Sequence, residues 1–245
     1  MRKIGKLAAA LLFLAALLGI NLAVTEKIWS DRNLSTSAAV RAEEKEEGAS
    51  KKTVVLDAGH GGRDPGKVGE GGVLEKDLNL AIAKETGKIL KKKGIRVVYT
   101  RTADEALAGE EAEEGVSQKL ADLQARVERI NEEQPALAVS IHQNSYPDPQ
   151  VSGFQVFYYE ESREGRALAQ KMEDTFREKG PGQIRVRESK GDSGYYLLKN
   201  TKAPALIVEC GFLSCPEELE RLTDKDWQKK IAGAVAAGIL ACVGK

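Results

Sequence analysis

The sequence predicts a single α/β domain with a largely parallel, mixed sheet and helices on both faces, preceded by an N-terminal hydrophobic segment. Two observations predict this class. Short apolar runs alternate with amphipathic segments from about residue 53 onward. The short runs are largely apolar instead of alternating, which is typical of strands buried on both faces of a parallel sheet. With 42% hydrophobic and 30% charged residues, the chain can bury an ordinary globular core.

Five segments are predicted to be β-strands, because each is a short run of β-branched and other apolar residues beside turn residues. The predicted strands cover residues 53–57, 95–100, 137–142, 153–159 and 205–209. Four longer segments repeat apolar residues every three or four positions, as amphipathic helices do. The predicted helices cover residues 77–93, 117–131, 162–179 and 227–243, and the acidic residues 103–116 are predicted to form a solvated loop.

Residues 1–52 are expected to lie outside the folded domain. A basic stretch at residues 1–6 precedes an apolar run at residues 7–24, and about 20 apolar residues can span a bilayer as a helix. Cations before such a run favour export of the chain that lies after it. We interpret residues 7–24 as a retained membrane anchor, with a cleaved signal peptide as the alternative, and residues 25–52 as a charged linker.

Charge and cysteine content argue against a nucleic-acid-binding protein and against a disulfide-stabilised one. Basic and acidic residues both number 37, so no global positive field would attract nucleic acid, and we expect no nucleic-acid partner. The three cysteines (Cys210, Cys215 and Cys242) are odd in number and irregularly spaced. They do not indicate a disulfide framework, and we interpret them as buried residues that behave as small apolar side chains.

Four polar residues lie where a site is expected. His60 comes after the first predicted strand in a Gly-rich loop, His142 ends the third, and Glu209 ends the fifth. Glu75 opens the first helix. Because ligands of open α/β sheets bind beyond the carboxyl ends of the strands, these side chains are expected to converge at one edge.

Two imidazoles and one carboxylate would leave a fourth metal position open, which is the pattern of a catalytic zinc site. A second carboxylate that does not bind the metal could then act as general base. Each residue also has an ordinary explanation by itself: a turn or half-buried histidine, or for Glu75 a favourable charge at a helix start. The four together favour a metal site.

A second motif overlaps the first loop. Residues 61–68 (GGRDPGKV) nearly match a phosphate-binding P-loop. However, Val68 replaces the Ser or Thr whose hydroxyl binds magnesium, and glycines stand where a helix should begin. We therefore interpret the match as chance.

At these residues the chain resembles the zinc-dependent N-acetylmuramoyl-L-alanine amidases of bacterial cell walls, the amidase_3 family. The resemblance extends from about residue 53 to residue 243. Four blocks carry it: VLDAGHGG around His60, LEKDLNL around Glu75, VSIHQN around His142, and APALIVECGFLS around Glu209. A single α/β catalytic domain over residues 53–245 is the fold that it implies.

The resemblance implies that His60, Glu75 and His142 bind Zn²⁺ and that Glu209 is the catalytic carboxylate. The implied reaction is hydrolysis of the amide that joins the lactyl group of N-acetylmuramic acid to the L-alanine of the stem peptide. Two further residues, Arg101 and Asn144, are expected to bind substrate, Arg101 through an acidic group of the stem peptide.

The short domain directly after a membrane segment is most similar to the sporulation-specific branch of the family, whose enzymes remove stem peptides so that muramic lactam forms in the spore cortex. Peptidoglycan and the membrane are the expected partners. An activating protein is also expected, because the loops 103–116 and 143–152 are too short for an inhibitory insertion. The expected location is the outer face of the cytoplasmic membrane, or the cell wall or forespore intermembrane space if the segment is cleaved.

Three other functions stay open from the sequence. One is a related zinc exopeptidase, and another is a cysteine hydrolase that uses Cys210 and His142. The third is a catalytically silent peptidoglycan-binding protein.

Overall fold

The computed structural model describes residues 53–109, 116–182 and 184–244. The predicted basic stretch, membrane segment and linker lie outside the described residues and stay predictions. Among the residues that are described, no helix is both long and apolar enough to cross a membrane.

Six strands and six α-helices make up the described part of the chain. The strands are β1 (Thr53–Ala58), β2 (Arg96–Tyr99), β3 (Leu137–Asn144), β4 (Gln155–Tyr159), β5 (Lys190–Asp192) and β6 (Ala205–Phe212). The helices are α1 (Glu75–Lys92), α2 (Gln118–Glu133), α3 (Arg163–Lys179), α4 (Tyr196–Asn200), α5 (Pro216–Thr223) and α6 (Lys225–Cys242). A short 3₁₀ turn at Glu70–Gly72 precedes α1.

All six strands form one sheet in the order β2-β1-β3-β6-β4-β5. The first four of these run parallel to one another, whereas β4 pairs antiparallel with β6 and parallel with β5. The sheet is therefore mixed and largely parallel, which confirms the predicted fold class. The parallel arrangement brings the carboxyl ends of β1, β3 and β6 to one edge.

Helices cover both faces of the sheet, and the alternation of side chains along β1 shows the division. Val54 and Leu56 belong to a core cluster that also contains residues of α1, α3 and α6. Val55, on the opposite face, packs in a second cluster with residues of α2 and α4. Inside the first cluster, the rings of Phe154 and Phe176 stack with centroids 3.5 Å apart.

The structure and the prediction differ most over residues 190–223. The last predicted strand continues past residue 209 to Phe212, and three elements were not predicted: β5, α4 and α5. These elements have three, five and eight residues. A three-residue strand and helices of about one and two turns repeat too few positions for hydrophobic periodicity to identify them.

A buried carboxylate joins several elements at the sheet edge where the carboxyl ends of β1, β3 and β6 meet. Asp57, near the end of β1, is only 1% exposed. Its Oδ1 accepts hydrogen bonds from Thr100 Oγ1 (2.6 Å) and from Arg126 Nη1 (2.7 Å), and its Oδ2 accepts one from the Ser140 hydroxyl. Ser140 lies on β3 and Arg126 on α2, so one side chain ties two strands and a helix together.

These contacts keep Asp57 charged inside the protein. Burial raises the pKa of this carboxyl, but the Arg126 guanidinium and the hydroxyls of Ser140 and Thr100 outweigh it and lower the pKa from 3.8 to about 2. Since the pKa in the folded state lies below that in the unfolded state, the stabilisation by Asp57 is complete above about pH 4. It is lost as the pH falls toward 2.

Replacing the partner of Asp57 should be costly. In Arg126→Met, the buried carboxylate loses its compensating charge, and the free energy of unfolding at pH 7 should fall by about 3–5 kcal/mol. Urea unfolding measures the loss. Arg129→Met is the matched control on α2, because Arg129 is exposed and bonds one backbone carbonyl of Tyr99; it should cost about 1 kcal/mol or less. Equal losses of unfolding free energy in both variants would contradict the role of Arg126 as the compensating charge of Asp57.

Candidate active site

The four residues singled out by the sequence lie together at one edge of the sheet. His60 is in the loop after β1, His142 is on β3, Glu209 is on β6, and Glu75 is the first residue of α1. His142 and Glu209 are direct neighbours in the β3–β6 register. All four line one cleft of about 400 Å³.

Three of them form a set of metal donors. The candidate ligand atoms of His60, Glu75 and His142 all lie within 4.8 Å of one another. His60 Nε2 is 3.2 Å from Glu75 Oε2, and His142 Nδ1 is 2.9 Å from Glu75 Oε1. Two imidazole nitrogens and one carboxylate oxygen are the donor types of catalytic zinc sites, so this set fits the metal that the sequence predicts.

Glu75 is the centre of this set and is held from several sides. It is 2% exposed, and its oxygens accept hydrogen bonds from the backbone N–H groups of Lys67 (2.8 Å) and Gln143 (3.1 Å). Burial raises its pKa, but the hydrogen bonds with His142 and His60 lower it more, to well below its usual range. Glu75 is therefore an ionised carboxylate oriented between the two histidines.

The loop that carries His60 has an unusual backbone that two arginines hold in place. His60 itself has a positive φ of 62°. Arg126 donates to the carbonyls of Ala58 (2.8 Å) and His60 (2.7 Å), while Arg101 donates to those of Ala58 (2.9 Å) and Gly59 (3.1 Å). The two guanidiniums thus bind the carbonyls that the turn leaves without strand partners.

Arg101 was expected to bind substrate, and the structure places it elsewhere. It is 2% exposed and does not line the cleft. Besides the loop, its guanidinium donates to the carbonyls of Lys76 (2.7 Å) and Ala103 (3.0 Å). These contacts favour a role for Arg101 in positioning the loop over a role in binding substrate.

Two glycines let the backbone approach the donor set closely. A Cβ at Gly66, where φ is +69°, would lie 2.6 Å from Glu75 Oε2 and 2.7 Å from His60 Cδ2. A Cβ at Gly59 would overlap the His142 ring. Gly66, inside the sequence that nearly matches a P-loop, and Gly59, just before it, therefore have a different physical reason, namely close packing of backbone against the candidate ligands.

Glu209 lies beside the donor set in a contrasting environment. It is 6% exposed, and among the described residues its Oε2 has no hydrogen-bond partner. Burial raises its pKa to about 7; His142 and His60 oppose this rise, and Glu75 adds to it. A carboxylate with this pKa can take up and release a proton near neutral pH.

The rest of the cleft is partly polar and partly aromatic. Asn144, predicted to bind substrate, lines it, and so does Lys119 at the start of α2. Tyr195, just before α4, also lines it, and burial together with the charge of Glu209 raises the pKa of this phenol to about 12. Tyr195 and Lys119 were not predicted from the sequence, because neither belongs to a motif and Tyr195 lies where no element was predicted.

Cys210 is adjacent to Glu209 in the chain but does not share its environment. It is fully buried and belongs to the core cluster on one face of the sheet. Burial raises the pKa of this thiol well above its usual range, so it stays protonated at neutral pH. A nucleophilic cysteine needs a lowered pKa, and the structure therefore disfavours the cysteine hydrolase alternative.

Comparison with known proteins gives a consistent result. The family model described as N-acetylmuramoyl-L-alanine amidase matches residues 54–241. The germination-specific N-acetylmuramoyl-L-alanine amidase of Bacillus subtilis (strain 168) is 38% identical over 189 residues, which cover 77% of this chain and 78% of that protein.

Two solved structures are similar in both fold and sequence. The CwlD amidase of Clostridioides difficile, in complex with the GerS lipoprotein, has a TM-score of 0.73 at 34% identity, covering 78% of this chain and 98% of that one. The amidase AmiC2 of Nostoc punctiforme has a TM-score of 0.67 at 36% identity, covering 78% and 96% of the two chains.

The close approach at Gly66 can be tested by substitution. Gly66→Ala should displace Glu75 and the His60 ring, and so sharply weaken metal binding. Gly71→Ala is the matched control, since its φ of +73° is similar but a Cβ there would meet nothing within 4 Å. Both variants should lose about 1 kcal/mol of stability from the backbone conformation. Thermal unfolding first checks that the two variants lose similar stability, and metal titration then compares their metal affinities. Equal metal affinity in both variants would refute the packing argument.

Proposed function

We propose that this chain, which belongs to the N-acetylmuramoyl-L-alanine amidase family, is a zinc enzyme that acts in maturation of the spore cortex. As a member of that family it is a peptidoglycan amidase, which hydrolyses the amide between N-acetylmuramic acid and L-alanine. The convergence of two histidines and two glutamates on one cleft is the observation that carries the proposal.

His60, Glu75 and His142 would hold the zinc ion. Three protein ligands leave a fourth position for water or substrate, as catalytic zinc sites do. When bound, zinc supplies Lewis acidity, which polarises a carbonyl oxygen and makes water more acidic. The pKa of Glu75 lies below its usual range, so its carboxylate is ready to bind a cation without first losing a proton.

Glu209 is proposed to move the proton. Its position next to His142 across β3 and β6 puts the carboxylate beside the donor set. It takes a proton from the attacking water and later gives that proton to the amide nitrogen, which leaves as the free amine of L-alanine. Its free Oε2 and its pKa of about 7 both suit a group that must gain and lose a proton in each turnover.

The cleft also orients the substrate. Asn144 lines it next to the catalytic groups, and its Oδ1 accepts a hydrogen bond from Ser145 N, which fixes the amide plane. The Asn144 side-chain N–H₂ is therefore the proposed donor to a substrate carbonyl. Tyr195 also lines the cleft and is proposed to pack against the sugar or the lactyl group.

The proposed place in the cell rests on the relatives and on the N-terminal sequence. The germination-specific relative in B. subtilis supports a role in spores. Removing the stem peptide frees the lactyl carboxyl group, which could form muramic lactam with the 2-amino group, with loss of water, once the acetyl group has been removed from that nitrogen. The apolar residues 7–24 support attachment to the outer face of the cytoplasmic membrane, or release into the wall or the forespore intermembrane space after cleavage.

An activating protein partner is part of the proposal. The similar C. difficile amidase has been solved in complex with a lipoprotein, which supports a protein partner for this chain as well. The loops 103–116 and 143–152 are short in sequence, and we place control in a partner or in localisation.

The role of Glu209 predicts a separation of binding from catalysis. In Glu209→Gln, turnover should fall about 100- to 10,000-fold because the general base is lost. Zinc content should not change, since Glu209 is outside the donor set. Glu160→Gln, at an exposed position after β4, is the control and should keep full activity. Substantial activity in Glu209→Gln would show that another group carries the proton.

Product analysis tests the bond and the metal together. The full-length chain is incubated with purified peptidoglycan, and the products are identified by mass spectrometry. We expect intact stem peptides with a free L-alanine amine, whose release stops with a chelator and resumes when zinc is added. Release that persists without metal would overturn the zinc proposal, and cleavage inside the stem peptide would identify an exopeptidase instead.

A further inference from the structure

The glycine-rich loop folds back so that Asp64 reaches the ring of His60. Asp64 Oδ2 lies 2.7 Å from His60 Nδ1. Gly61 and Asp64 exchange two backbone hydrogen bonds of 3.0 and 3.1 Å, and Asp64 Oδ1 accepts another from Gly66 N at 3.0 Å. Both the backbone and the side chain of Asp64 are thus fixed relative to the ring.

This contact decides which ring nitrogen of His60 is free. A neutral imidazole carries one proton, and the nitrogen without it is the metal ligand. The two nitrogens of His60 face two carboxylates: Nδ1 is 2.7 Å from Asp64, and Nε2 is 3.2 Å from Glu75. Since an ionised carboxylate only accepts hydrogen bonds, the shorter contact draws the proton to Nδ1 and leaves the lone pair of Nε2 facing the donor set.

His142 lacks an equivalent contact. Its Nδ1 faces Glu75 at 2.9 Å, and the opposite side of the ring packs against Gly59 so closely that a Cβ there would overlap it. Among the described residues, no second carboxylate makes a hydrogen bond or ion pair with this ring. The two histidines therefore differ. Among the described residues, only His60 has a second carboxylate, that of Asp64, at the ring nitrogen that does not face Glu75.

We propose that Asp64 is a positioning residue that keeps the proton of His60 on Nδ1, so that Nε2 is free to bind the metal. The inference rests on the proposed zinc chemistry and assigns a role to a residue outside the donor set. Without Asp64, Glu75 would be the remaining carboxylate partner of this ring. The proton would then move to Nε2, where it blocks the ligand lone pair.

Three variants of the full-length chain separate this role from simple support of the loop. Asp64→Ala removes the acceptor, whereas Asp64→Asn keeps an oxygen that can accept from Nδ1–H. Asp104→Ala is the matched control. Asp104 Oδ1 accepts a hydrogen bond from Gly62 N (2.8 Å) in the same loop, and Asp104 binds Lys76 Nζ (2.7 Å) with its other oxygen.

Zinc affinity is the first readout, measured by competition with a chromogenic chelator. Removing an outer-shell carboxylate typically weakens metal binding about 10- to 100-fold, and we expect a loss of that size in Asp64→Ala. Asp64→Asn should recover most of it, and Asp104→Ala should bind zinc nearly as the unaltered chain does. Unchanged affinity in Asp64→Ala, or an equal loss in Asp104→Ala, would overturn the proposal.

Ring-nitrogen NMR of the zinc-stripped protein is the second readout and does not depend on catalysis. The chain contains two histidines, so ¹⁵N-histidine labelling gives two ring systems to assign. At a pH where both rings are neutral, His60 should carry its proton on Nδ1 in the unaltered chain and in Asp64→Asn, and on Nε2 in Asp64→Ala. A proton on Nε2 in the unaltered chain refutes the proposal, even if Asp64→Ala does not fold.

The two readouts also distinguish the inference from the function that it rests on. If the unaltered chain binds no zinc, the metal proposal fails, while the ring-nitrogen measurement still decides whether Asp64 sets the proton of His60. If zinc binds and peptidoglycan is cleaved but all variants behave alike, the function stands and the role of Asp64 is wrong.

Discussion

Asp57 carries a negative charge in the interior of the protein. The geometry of the sheet edge that carries the candidate active site depends on how that charge is compensated. Arg126 supplies the counter-charge, and the same guanidinium donates hydrogen bonds to the carbonyls of Ala58 and His60. A buried ion pair gives little net stability, but removing one partner is expensive. The pair therefore acts as a constraint: it ties the end of β1 to α2, and the backbone of His60 is held in place with them.

The two glutamates of the site show how environment assigns chemical roles to the same side chain. Glu75 is surrounded by hydrogen-bond donors and two imidazoles, and its pKa is well below its usual range. Glu209 is similarly buried but has a free oxygen and a neighbouring negative charge, and its pKa rises to about 7. Two carboxylates with separated pKa values are the usual basis for dividing a permanently charged role from a proton-transfer role.

The glycine-rich loop after β1 brings its backbone close to the candidate ligands. Gly66 and Gly59 lie where a Cβ would meet Glu75 or the His142 ring, and the return of the loop to the His60 ring at Asp64 needs a tight turn with exchanged backbone hydrogen bonds. A phosphate-binding loop uses glycines so that backbone can approach a ligand. Here Gly59 and Gly66 let the backbone approach the candidate metal donors, which explains why a P-loop pattern nearly matches without its function.

The sequence by itself determined the fold class and the four chemical groups of the site. Long periodic segments predict their own elements, and His60, His142 and Glu209 lie at or just after the ends of strands whose carboxyl ends must meet at one edge. Only the tertiary structure revealed the contacts of Arg101, because its carbonyl partners belong to distant segments that no local pattern connects. It also decided which carboxylate is ionised, because a pKa depends on burial and on partners far away in the chain, as with Asp57 and its guanidinium partner 69 residues further on.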